Sequence, residues 1–125
     1  GIEANFVGAI DEHAITDKDL LIVGSGSGES AVPVAIVKIA KKYNAKIAHI
    51  GSNANSSMTP YEDLFVRIPC STKLDLPDEI KSNQVMSSLF EQSLLLLGDM
   101  IALLIVDKEG ITDLHSLWRK HANLE

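Results

Sequence analysis

Apolar residues fall in this chain as short runs and as helical faces, in alternation. Leu20 to Gly24 is an unbroken apolar or small run, the pattern of a buried strand. From Ala31 to Tyr43 the period changes. Val32, Ala35, Ile36, Ile39 and Ala40 share one helical face, while Lys38, Lys41 and Lys42 lie outside it and toward the end. Pro33 fits the first turn, where its missing N–H costs nothing. Lys46–Ile50 and Leu64–Ile68 read as further strands, and Ile2–Val7 as a short, weakly alternating one before a polar stretch from Ala9 to Asp19. Thr59 to Asp63 reads as a helical turn, and 70–81 as a charged loop. Strands alternating with helices predict a parallel α/β sheet covered on both faces, with ligands bound beyond the strands' C-terminal ends.

The C-terminal third has another pattern. Gln84 to Val106 reads as one long helix whose Leu94–Leu97 and Met100–Val106 segments are apolar almost all round. Such a helix is expected to be buried in the domain or against another subunit. We expect a homo-oligomer contact here. The Gly98-Asp99 interruption makes the run read as too short for a membrane span. On its first turns, Gln84, Ser87, Ser88 and Glu91 form a polar stripe that would face a wet cavity or a partner. Apolar neighbours such as Phe90 and Leu94 would raise the pKa of Glu91 and suit it to moving protons; a plain surface carboxylate is the other reading. Ile111 to Asn123 reads as a last amphipathic helix with Leu114, Leu117 and Trp118 on one face.

Composition narrows the function. The 125 residues carry 17 acids against 11 bases, a net charge of −6, which argues against nucleic acid as a partner. Any bound phosphate must then be held by local donors. Cys70 alone forms no internal disulfide and fits a reducing, cytoplasmic setting; it reads as a small residue at a strand end. No signal peptide is visible. His13 reads as a loop residue, His49 as a core or sheet-edge residue, and His115 as packing.

The strongest chemical signal follows the Leu20–Gly24 run. Ser25-Gly-Ser-Gly-Glu-Ser30 puts glycines and serines between a strand and a helix start. Glycine lets backbone approach a ligand, serine hydroxyls donate without bulk, and helix-start N–H groups favour an anion. Gly24, Gly26 and Gly28 are followed by Glu29, so the third glycine comes one place early for a dinucleotide fingerprint. No GK[ST] follows, which excludes a nucleoside-triphosphate P-loop. We expect a phosphate at Ser25, Gly26, Ser27, Gly28 and Ser30; the alternative is a turn that needs glycine for geometry alone.

This loop resembles the S-x-S-G-x-[ST] phosphate loop of sugar isomerase (SIS) domains. Within that family the chain is most similar to 6-phospho-3-hexuloisomerases, through Gln84-Val-Met-Ser-Ser-Leu-Phe-Glu-Gln92, the leucine-rich stretch ending at Asp99, and the closing His121-Ala-Asn-Leu-Glu125. The resemblance implies a flavodoxin-like parallel sheet in a three-layer sandwich, with 1–125 as a single SIS domain. It implies homodimers or homotetramers, and neither nucleic acid nor membrane as partner. It implies isomerisation of 3-hexulose 6-phosphate to fructose 6-phosphate, a step of formaldehyde fixation or pentose supply, with no metal or other cofactor. Phosphate contacts carry over to Ser25, Ser27, Ser30 and the amides around Gly26 and Gly28, and the base to Glu91. Family members have a further upstream strand with a Gly-Arg-Ser type loop, and an H-L-G stretch whose last glycine aligns with Gly1; that half-site is absent from the chain as given. His121 is the remaining candidate for a histidine role, at its own or a neighbour's site, beside a plain packing role. A SIS domain that only senses a phosphosugar is the second reading; it needs the serine loop but not Glu91.

Overall fold

The computed structural model describes residues 2–121. The expectations that fall on Gly1 and on residues 122–125, including the end of the closing motif, lie outside the described residues.

Three parallel strands, β1 (Leu20–Gly24), β2 (Lys46–Gly51) and β3 (Leu64–Arg67), pair in that order. The register sets Leu21 beside Ile47 and His49 beside Phe65. Between β1 and β2 runs α1 (Ala31–Lys42), whose Val37 and Ala40 join Leu21, Ala45, Ile47 and Met58 in the core. Side chains alternate across a strand. Leu21 and Val23 therefore face α1, and Leu20, Ile22 and Gly24 face the other side. There α2 (Ser88–Lys108) approaches, close enough that a Cβ at Gly24 would lie 2.6 Å from a Leu94 methyl. The expected parallel α/β sheet with flanking helices is thus present.

Three expected elements differ. Ile2–Val7 is not a strand: Ile2 and Phe6 are exposed, and the Gly8 amide donates to Glu12 rather than to a neighbouring strand. The long helix starts at Ser88 rather than Gln84, because Met86 takes a left-handed φ of 52° just before it. The last element among the described residues is a 3₁₀ helix over Leu114–Lys120, not the longer helix expected from Ile111. Gly110 at φ 66° ends α2, and the Asp113 carboxylate caps the short helix through the His115 amide.

Helix α2 narrows one expectation to its second alternative, a contact with another subunit, and corrects another. It is not buried inside the domain: Phe90 is its buried residue, while Leu95, Leu96, Met100, Leu103 and Leu104 are exposed. It has 21 residues, with mean hydropathy 1.9 over an 18-residue window, and suffices by length and composition to cross a membrane, so the run is not too short for a span.

Asp63 pins the sheet together. Its carboxylate accepts from the Ile47 amide at 3.0 Å, from Lys46 at 3.1 Å and from Lys41 at 3.2 Å, joining the start of β3 to β2 and the end of α1. The Ile47 N–H, then the two ammonium groups, lower its pKa from 3.8 to about 2. A carboxyl lowered on folding adds stability that is complete above its unfolded value and lost as pH falls through the folded one. The melting temperature is expected to fall between about pH 4 and pH 2, with a smaller fall over that range in Asp63→Asn, as thermal unfolding across pH will record. Two glycine substitutions should move stability in opposite directions. Gly28 has φ 66°, and a Cβ there would lie 2.3 Å from Ser56 Cβ, so Gly28→Ala should destabilise by at least about 1 kcal/mol in urea titration. Gly98 lies in α2 with nothing within 4 Å of its would-be Cβ, and Gly98→Ala should stabilise by roughly 0.5–1 kcal/mol.

Candidate functional site

The loop between β1 and α1 is held from below by the end of β2 and the residues after it. The Ser25 carbonyl accepts from His49 Nε2 at 3.0 Å. The Gly26 carbonyl accepts from the amides of Ser52 at 2.8 Å and Asn53 at 3.1 Å. The Ser27 carbonyl accepts from Asn53 Nδ2 at 3.1 Å. Three successive carbonyls are thus fixed toward the second strand. The peptide bonds are trans, so each N–H points opposite to the carbonyl of the same unit. The amides of Gly26, Ser27 and Gly28 therefore face away from β2, and they make no hydrogen bond among the described residues. Successive free amides around a left-handed residue form an anion-binding concavity, and Gly28 supplies that conformation.

The serines complete it. Ser25 and Ser27 are buried, and Ser27 Oγ accepts from the Glu29 amide at 3.3 Å. Ser30 stands at the N-cap of α1, yet its hydroxyl makes no capping bond. Glu29 does not face an anion as a loose charge: its carboxylate accepts from the Ser57 amide at 2.8 Å and the Ser57 hydroxyl at 2.6 Å. The Ser57 side-chain bond, then the amide, lowers its pKa.

A cleft of about 290 Å³ opens over this loop, lined by Ser25, Gly26, Ser27, Ser30, Lys73 and Glu91, with Phe90 and Leu94 as its apolar wall. Glu91, expected from the sequence, is therefore brought to the same cleft as the serines. It is exposed, not enclosed by apolar neighbours. Ser87, of the expected polar stripe, also lines the cleft, while Gln84 lies before the helix and donates to Gln92. Gly28 shapes the loop without lining the cleft. His121 is not brought to it; its ring lies 5.2 Å from that of Trp118. A larger hollow of about 490 Å³ lies elsewhere, between the 7–15 segment and α1, and is mostly apolar.

Two participants were not read from the sequence. Lys73 lies in a charged loop with no local motif to mark it. Its loop is tied down by Glu79, which accepts from the Thr72 and Leu76 amides, and by an Arg67–Asp78 ion pair. His49 read as a plain core residue; it is fully buried, but both ring nitrogens are engaged, with Glu62 and with the serine loop.

With this geometry in view, known proteins give a consistent answer. No family model matches the chain. It is 38% identical over its whole length to a 3-hexulose-6-phosphate isomerase of Bacillus subtilis, covering 67% of that protein. It is 35% identical to one of Mycobacterium gastri, covering 62%, and 33% identical to one of Methylomonas aminofaciens, covering 67%. The chain thus spans about two thirds of the length of these relatives. A crystal structure from Methanococcus jannaschii, from which a 3-hexulose-6-phosphate isomerase function was inferred, superposes with a TM-score of 0.82 at 26% identity, over all of this chain and 65% of that one. The serine loop, the parallel sheet and these likenesses over the whole of this chain agree: the chain belongs to the 3-hexulose-6-phosphate isomerase family.

Proposed function

We propose that the cleft binds a phosphorylated ketose and that Glu91 isomerises it, interconverting 3-hexulose 6-phosphate and fructose 6-phosphate through an enediol. One observation carries this reading: the amides of Gly26, Ser27 and Gly28, unpaired among the described residues, belong to the loop that lines the cleft shared with Glu91. The amides and the Ser25, Ser27 and Ser30 hydroxyls take the phosphate oxygens, and Lys73 offsets their charge. The phosphate is the handle, and the reacting carbons extend toward α2.

The substrate carries a hydroxyl and a ketone on adjacent carbons. The Glu91 carboxylate removes the proton from the hydroxyl-bearing carbon, the electron pair forms the enediol double bond, and the ketone oxygen gains a proton. Return of the proton to the neighbouring carbon, with loss of the other hydroxyl proton, gives the isomeric ketone. One carboxylate on one face of the substrate serves both transfers. The same cleft without turnover would be a phosphosugar sensor.

The working unit is proposed to be a homodimer or homotetramer with α2 at the contact. The exposed leucines and Met100 of α2 support this, since apolar surface of this kind is covered in a stable assembly.

Replacement of Glu91 by Gln should abolish turnover while calorimetry still detects fructose 6-phosphate; turnover at the parent rate would remove Glu91 from the chemistry. Ser27→Ala should weaken phosphosugar binding about tenfold, the scale of one hydrogen bond to a charged group, and undiminished affinity would argue against the serine loop as the phosphate grip.

A further inference from the structure

His49 has an environment that a packing role does not require. Its ring is fully buried, with Phe65 tilted against it at 5.1 Å. Nε2 lies 3.0 Å from the Ser25 carbonyl, and Nδ1 lies 2.8 Å from Glu62 Oε2. A carbonyl only accepts, so Nε2 carries a proton. On the other side, one proton is shared between Nδ1 and a carboxylate. An ionised carboxylate, like a carbonyl, only accepts, so Nδ1 carries a proton as well and the ring is an imidazolium. Among the described residues Glu62 is the charged group in contact with it, and the Glu62 side chain is itself 10% exposed. The backbone makes room for the bond: a Cβ at Gly51 would lie 2.6 Å from Nε2 and 2.7 Å from the Ser25 oxygen.

We propose that His49 is a positioning residue for phosphate binding: held as an imidazolium by Glu62, it fixes and polarises the Ser25–Gly26 peptide so that the Gly26 N–H meets the ligand. This rests on the phosphate reading of the cleft. The carbonyl of that peptide receives a charged donor from below, and the amide of the same unit points the opposite way, into the cleft that Gly26 lines. A carbonyl bonded to a cation makes its own N–H a stronger donor. The pair Glu62–His49 is neutral as a whole, yet its positive end lies under the loop. In a chain of net charge −6, it directs local positive potential to the anion site.

The test uses ring ¹⁵N and amide NMR together with calorimetry of inorganic phosphate and fructose 6-phosphate. Both His49 nitrogens should appear protonated near neutral pH. His49→Leu should weaken both ligands about tenfold with a folded melting transition, and His49→Gln, whose amide can donate to Ser25, should recover part of the loss. Glu62→Gln should return the ring to its neutral form, shift the Gly26 amide proton upfield and weaken binding less than His49→Leu. An unprotonated Nδ1 in the parent protein, or His49→Leu binding as tightly as the parent, would overturn the role. Should His49→Leu fail to fold, unchanged binding and ring state in Glu62→Gln overturn it instead. A parent protein that binds neither ligand overturns the cleft reading and this role with it, whereas a binding parent with an equally binding folded His49→Leu variant overturns only the role of His49.

Discussion

The structure depends on carbonyl oxygens of the Ser25–Ser27 loop being claimed by the end of β2. A glycine-rich turn has many conformations, and most would scatter its amides. Donors from His49, Ser52 and Asn53 remove that freedom, one carbonyl at a time. The cost of ordering the loop is met in folding rather than in ligand binding. Neighbouring side chains continue the same logic. Glu29 is locked to Ser57, which ties the loop to the segment after β2 and keeps a carboxylate from an anion's path.

Around this fixed point the rest of the chain divides into a well-packed part and an open part. β1, α1 and β2 enclose the aliphatic core with Ile47 and Val37 at its centre. On the opposite face, Leu20, Ile22 and Leu64 are exposed and α2 touches the sheet mainly through Phe90 and Leu94 near the loop. The helix thus meets its own sheet where the cleft is, and exposes its remaining leucines. Glu91, in the first turn of this helix, lines the cleft beside the two apolar residues, Phe90 and Leu94, that wall it.

Charge is distributed to match. The net acidic chain offers no broad attraction to anions, so the phosphate site proposed above would rest on local dipoles and nearby cations. Lys73 reaches the cleft from a loop secured by Glu79 and Arg67, and the imidazole of His49 lies below it. The lysines of α1 take another part: Lys41 joins Lys46 on Asp63, holding the sheet rather than a ligand.

Much of this was legible in the sequence because it depends on local order. Leu20–Gly24 followed by alternating glycine and serine must be a strand running into a tight turn, and the spacing of Val32 to Ala40 must be a helix face. The loop's chemistry follows from residue types alone. The rest was decided by contacts distant in sequence and, at one point, by a single backbone angle. Ile2–Val7 had strand-like composition but found no neighbour to pair with, and the 84–87 stretch lost its helix to a left-handed Met86. Lys73 and His49 carry no motif; a lysine among loop charges and a histidine between alanine and isoleucine look ordinary along the chain. Only the register that sets β2 beside β1, and the crossover that returns the chain under the loop, bring the His49 ring to Ser25 across 24 positions. Sequence determined which groups could grip an anion, because those are properties of residues. Tertiary structure decided which way their amides point, because that is fixed by donors contributed from another strand.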